Sequence, residues 1–121
     1  MEKRINIGQK GEDFAIDYLQ KNGYTIVERN WRFKKYEIDI IAHKDHQICF
    51  IEVKTRAVNT LVQAKNALST LQEKRILTAA NSYLQLHEID LDPRFDLIAI
   101  TNHQNSLTLE HIKNAFYPTI D

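Results

Sequence analysis

The spacing of apolar positions changes several times along the chain, and each change marks a different element. Between Ile7 and Asn22, Phe14, Ala15, Tyr18 and Leu19 recur at helical spacing, which predicts a first helix. Asn6 is placed to cap it, with Gln9 three residues on, and Gly23 supplies a left-handed stop. Three extended runs follow: Tyr24 to Phe33, Glu37 to His43 and Gln47 to Lys54, rich in β-branched and aromatic residues. The stretch from Ala57 to Ala67 reads equally as loop or as short helix. A second helix is expected from about Thr70, where Thr70 and Glu73 form a capping-box pattern, continuing through Leu71, Leu77, Ala80 and Leu84. Arg94 to Thr101 reads as a buried strand, and Ser106 to Ile112 as an edge strand. The order α, β, β, β, α, β, β predicts an α/β (α+β) fold, a mixed sheet flanked by helices.

Composition narrows the class. A length of 121 residues suits a single domain over 1–121 with one core. Hydrophobic residues at 43% and charged residues at 26% are ordinary for a soluble globular protein. No apolar run approaches the ~20 residues needed to cross a bilayer, so no membrane association is expected. The opening Met-Glu-Lys-Arg-Ile-Asn lacks a secretory apolar stretch, and the lone Cys49 fits a reducing compartment, so the cytoplasm is the expected location. Sixteen basic and sixteen acidic side chains cancel, which argues against a non-specific DNA coat. Only the distribution of charge carries functional information.

That information lies in Glu37-Ile38-Asp39-Ile40-Ile41 and Phe50-Ile51-Glu52-Val53-Lys54, joined by Lys44-Asp45-His46-Gln47. A tight antiparallel hairpin centred on Asp45 and His46 sets Asp39 opposite Glu52 and Glu37 opposite Lys54. In that register Glu37, Asp39, Glu52 and Lys54 share one face, and Ile38, Ile40, Ile51 and Val53 the other. Opposed carboxylates about 5 Å apart repel, so the pair calls for a cation. Lys54 is one candidate, and a hard divalent ion such as Mg²⁺ or Mn²⁺ is the other. A solvated strand face with unrelated charges is the alternative. Glu12 falls on the core-facing side of the first helix, where an acid is unusual, although a first-turn acid also favours the helix dipole.

Glu12, Asp39 and the triplet Glu52-Val53-Lys54, in this order, resemble the PD-(D/E)xK nuclease superfamily in its Holliday-junction-resolvase-like branch. The wider set resembles the YraN-like family of small bacterial proteins. It comprises Gly8-Gln9-Lys10-Gly11-Glu12, Gly23-Tyr24 ahead of Arg29-Asn30-Trp31-Arg32, Glu37-Ile38-Asp39, Phe50-Ile51-Glu52-Val53-Lys54-Thr55-Arg56 and Arg94-Phe95-Asp96, spanning about residues 7–101. The resemblance implies a restriction-endonuclease-like αβββαβ core and a metal-dependent endonuclease acting on DNA, with branched or structured DNA as candidate substrates. It implies that Glu12, Asp39 and Glu52, with the Val53 carbonyl, hold Mg²⁺ or Mn²⁺. Lys54 would then orient the attacking water or stabilise transition-state charge. A homodimer is compatible with it. Two departures stand out: Tyr36 occupies a position where the family usually has glycine, and Ile38 replaces the proline of the superfamily motif. A catalytically silent nucleic-acid-binding module that kept the fold is the competing function.

Further candidates surround this set. Arg29, Arg32, Lys34 and Lys35 interleave with Trp31, Phe33 and Tyr36, a mixture suited to phosphate contacts and base stacking and equally to a charge-guarded edge strand. Arg56 extends the Lys54 side of its strand toward a phosphate. Lys74 resembles a lysine the family keeps in the second helix. Asp96 is expected to pair with Arg94 in a structural role. The five histidines show no ligand spacing, and the absence of a glycine-rich phosphate loop argues against an NTPase.

Overall fold

A computed structural model describes residues 7–57 and 69–116. In chain order these form α1 (Ile7–Lys21), β1 (Thr25–Phe33), β2 (Tyr36–Lys44), β3 (Gln47–Ala57), α2 (Thr70–Leu86), β4 (Asp92–His103) and β5 (Ser106–Ile112). The Asn6 cap and most of the ambiguous 57–67 stretch lie outside the described residues. The five strands make one mixed sheet in sequential order. All neighbours are antiparallel except β3 and β4, which run parallel with α2 as the crossover. No helix among the described residues is long and apolar enough to cross a membrane.

The sheet separates two cores because successive residues of a strand point to opposite faces. On one face Ile48 and Phe50 meet Ile76, Ala79, Ala80 and Tyr83 of α2. On the other, Cys49 and Ile51 meet Ala15 and Leu19 of α1. Gly23, at φ +88°, turns the chain after α1 so that Tyr24 packs back beneath it. The second helix departs from expectation in two respects. Its cap is Ser69, whose hydroxyl accepts from the Gln72 N–H while the Gln72 side chain accepts from the Ser69 N–H. The box is therefore Ser69/Gln72, not Thr70/Glu73. Its buried stripe is Ile76, Ala79, Ala80 and Tyr83, whereas Leu71 is 57% exposed.

Strict alternation also fails, once at a register shift between Ile26 and Glu28 and again beside the acids. Ile38 packs with the α2 core, while Ile40 and Ile51 pack with the α1 core, so the expected grouping of Ile38 with Ile40 does not hold. The phase changes at Asp39. Across the β1–β2 ladder, between the pairs Arg29–Ile40 and Trp31–Ile38, lies Asn30 in the left-handed region at φ 53°. Asparagine tolerates that conformation better than most residues. Both strands thus shift phase together, which lets Ile38 and Trp31 turn toward α2.

A buried ionic network ties the parallel strand to its surroundings. Asp96, fully buried, accepts from Arg94 Nε (3.0 and 3.1 Å) and Nη2 (2.8 Å) and from the Asn114 N–H (3.2 Å), and lies 2.7 Å from His111 Nε2. Arg94 also donates to Gln47 on β3 (2.9 Å) and to the Tyr24 hydroxyl (2.6 Å). Tyr18 of α1 stands 2.9 Å from His111 Nδ1. A neutral imidazole that donates from Nε2 and accepts at Nδ1 satisfies both neighbours. Burial alone pushes the Asp96 carboxyl up, but the bonds from His111 and Arg94 outweigh it and hold it below the usual range. The expected structural role of Asp96 is borne out, and its partners extend well beyond Arg94.

Asp96→Ala leaves a buried arginine without its counter-charge and is expected to cost about 3–5 kcal/mol, read from urea unfolding. Because the folded-state pKa of Asp96 is depressed, its contribution is present above the unfolded aspartate pKa of about 3.9 and is lost as pH falls through the folded value. The variant should lack that part of the acid unfolding limb.

Candidate active site

The expected hairpin forms with its predicted register. Lys44 pairs with Gln47, Asp45 sits in the turn at φ 57°, and the ladder runs back to Ile40 opposite Ile51. There it stops, one step short of the acids. The Val53 N–H, which a continued ladder would give to the β2 backbone, donates instead to Asp39 Oδ2 at 2.8 Å. Beyond Ile51, β3 keeps its parallel pairing with β4 as far as Ala57 opposite Asn102. The two strands of the hairpin therefore part where the carboxylates lie. Asp39 and Glu52 lie close enough for each carboxyl to shift the other's titration. The expected pairing of Glu37 with Lys54 is not in the ladder: Glu37 pairs with Arg32 of β1 (3.5 Å), and Lys54 lies beside Glu52 (3.9 Å).

Glu12 reaches this group from α1, and a close helix–strand contact holds it there. Gly11 is buried so tightly that an added Cβ would sit 2.2 Å from Thr55 Oγ1 of β3. Only a residue without a side chain lets α1 approach at this point. The next residue, Glu12, feels the charges of Asp39 and Glu37, which raise its carboxyl, and the Asn30 side chain and the Arg29 charge, which lower it. Arg29 bridges Glu12 (3.7 Å) and Asp13.

The electrostatics are those of crowded, partly desolvated acids. Burial first, then the neighbouring Asp39 charge, pushes the Glu52 carboxyl up to about 8, against the pull of Lys54. Burial also raises Asp39, opposed by the Val53 N–H and by the Glu52 side chain. Glu12 rises through burial and the Asp39 charge. Glu12 Oε1 and Glu52 Oε2 are buried acceptors with no hydrogen-bond partner, a costly arrangement for carboxylate oxygens. Among the described residues no three His, Cys, Asp or Glu side chains converge on one ion position. The donor chemistry nevertheless fits a hard divalent cation: it is all oxygen and includes two orphaned carboxylate atoms.

The other candidates divide by location. Arg32 is exposed and tied to Glu37, Lys34 sits in the β1–β2 turn over the Phe33 ring, and Lys35 lies 5.9 Å from the centre of the Tyr36 ring. Arg56 has a buried Nε without a partner. Lys74 is exposed on α2, and the residue that reaches the acid site is its neighbour Arg75. A cleft of about 160 Å³ is lined by Lys35, Tyr36, Glu37, Glu52, Gln72, Arg75 and Ile76. Gln72 and Arg75 are absent from the sequence-derived set. Phasing α2 on Ile76, Ala79 and Tyr83 would have exposed them, since Arg75 adjoins buried Ile76 and Gln72 lies three residues earlier.

Residues 11–100 match the model of a family described as uncharacterised protein family UPF0102. The chain is 38% identical over 120 residues to a UPF0102 protein of Bacteroides thetaiotaomicron, covering 99% of each. It is 39% identical over 114 residues to one of Bacteroides fragilis, covering 94% of each. It is 40% identical over 117 residues to one of Chlorobium chlorochromatii, covering 92% of this chain and 91% of that one.

The raised Glu52 has a thermodynamic consequence. Between its ordinary value of 4.5 and about 8, the folded state holds a proton that the unfolded state has released. Stability therefore falls as pH rises through this window. Melting curves without divalent ions should show this decline in the wild type. Glu52→Gln, which mimics the protonated acid, should flatten it and melt at least as high as the wild type at pH 8.

Proposed function

This chain belongs to the UPF0102 family, and we propose that it is a metal-dependent endonuclease that hydrolyses phosphodiester bonds in DNA, branched DNA included. The observation that carries this reading is the approach of Asp39 and Glu52, two half-buried carboxyls both pushed up, with Lys54 Nζ 3.9 Å from Glu52. A fold gains nothing in stability by desolvating two carboxyls against each other, so the arrangement suits a cationic ligand.

Glu12, Asp39 and Glu52 are the residues that would hold Mg²⁺ or Mn²⁺, with the Val53 carbonyl as a further oxygen. Such an ion neutralises phosphate charge and makes water a stronger acid. The chain's own groups supply the rest. The Val53 N–H fixes the orientation of Asp39. Lys54 Nζ lies 3.9 Å from Glu52 Oε1, where it can stabilise charge developing on a phosphate oxygen. Arg56, two residues further along β3, is suited to a backbone phosphate. The competing reading, a silent nucleic-acid-binding module, draws on the three acids not converging on one ion position.

Mg²⁺ or Mn²⁺ should raise the wild-type melting temperature by mass action and support cleavage of DNA. Asp39→Asn should fold, lose both responses and keep its DNA affinity. No melting shift and no cleavage with either ion would favour the silent module. Lys54→Ala should lower the single-turnover rate about 10²–10³-fold with little change in affinity, as expected for a contact made in the transition state. Arg56→Ala should weaken binding to all sequences alike and reduce the salt slope by about one. Equal losses of affinity in both variants, with unchanged rates, would reduce Lys54 to a phosphate contact.

A further inference from the structure

The cleft beside the acid pair has two walls of different character. The β1–β2 connection contributes Lys35, Tyr36 and Glu37, and the first turns of α2 contribute Gln72, Arg75 and Ile76, with Glu52 between them. Its acids already have cationic neighbours, Arg32 for Glu37 and Lys54 for Glu52. Lys35 and Arg75 are exposed and, among the described residues, neither makes an ion pair, so both can turn toward an incoming anion. Tyr36 is half-buried, with the Lys35 ammonium 5.9 Å from its ring centre. Gln72 uses its Oε1 on the Ser69 N–H, which leaves its amide NH₂ free to donate.

An aromatic ring, an amide donor and two uncommitted cations around a small cleft match the parts of one nucleotide: base face, base edge and phosphate. The size sets a further condition. The cleft is small, about 160 Å³, and a base inside a duplex is covered on both faces by its neighbours, so its face meets Tyr36 only after leaving the helix stack. Extrusion is least costly where the base is already unpaired.

We propose that this cleft receives a single unpaired nucleotide next to the bond held at Asp39 and Glu52, with Tyr36 stacking on its base and Arg75 and Lys35 holding its phosphate. The substrate class is then DNA with unstacked nucleotides, such as gaps, flaps, frayed ends or branch points, in preference to intact duplex. This rests on the nucleic-acid reading given above, yet it requires no cleavage.

The test is a binding measurement in the presence of chelator. 2-Aminopurine is placed as the one unpaired nucleotide of a gapped duplex, and at the same position in a fully paired duplex. The wild type should bind the gapped DNA at least ten-fold more tightly and quench the probe by stacking. Tyr36→Ala should abolish the quenching and bring the affinity ratio close to one, while Tyr36→Phe should retain both. Arg75→Ala, on an exposed helix position where folding is not at risk, should lose about ten-fold on gapped DNA and little on duplex. Lys74→Ala, one residue away, should change neither. Equal affinity for the two DNAs, or an Arg75→Ala variant with an unchanged ratio, would overturn the proposal. Cleavage of plain duplex as fast as gapped DNA, with a ratio near one, would leave the endonuclease reading standing and remove this one. A preserved ratio without cleavage under any ion would do the reverse.

Discussion

The bond from the Val53 N–H to the Asp39 carboxylate governs the geometry of the site. It replaces backbone pairing between β2 and β3 with a side-chain contact, so the ladder ends at Ile40 opposite Ile51. Because β3 remains paired with β4 through Ala57, the strand keeps its course while its partner departs. The opening at this fork brings Asp39 against Glu52, and the cleft lined by Tyr36 and Arg75 lies beside it. Asn30, in its left-handed conformation across from Asp39, accommodates the same irregularity on β1. The distortion spans three strands and has one locus.

Two buried acid centres in this protein meet opposite fates. Asp96 is fully buried and saturated by Arg94, His111 and Asn114, and its carboxyl stays ionised. Asp39 and Glu52 have one lysine between them and orphaned oxygens nearby, and burial pushes both carboxyls up. A carboxylate that stabilises a fold gathers donors until its charge is compensated. Acids left under-compensated in a cleft are arranged for something that is not part of the chain. The contrast separates structural from functional acid on the same sheet, and in both cases burial is the force that raises the stakes.

Tyr36 marks where this chain differs from the pattern its motifs resemble. A glycine there would leave the β1–β2 end of the cleft without a wall. The ring supplies one, against Ile76 of α2. Gly11 shows the opposite requirement, since its contact with Thr55 tolerates no side chain and sets the height at which Glu12 meets the sheet.

The sequence by itself determined the element order, the hairpin register and the closeness of Asp39, Glu52 and Lys54, whereas the three acids do not converge on one ion position among the described residues. These follow from short-range patterns: period-2 apolar positions fix which residues of β2 and β3 oppose each other, and the tight turn at Asp45 and His46 fixes the register. Other features depended on partners distant in the chain. The early end of the β2–β3 ladder arises because a side chain outcompetes a backbone carbonyl, which alternation cannot express, so Glu37 meets Arg32 and not Lys54. Ile38 turns to the face opposite Ile40 at the same place. The helix phase around Ile76, and with it Arg75 and Gln72, needed the surface α2 packs on, because Leu71 and Ile76 are equally apolar as letters. His111 was unremarkable in sequence because the groups that give it a role, Tyr18 and Asp96, lie 93 and 15 residues away. Local spacing encodes what a segment can pair with, and only the folded chain decides which competing donor, acceptor or apolar face it meets.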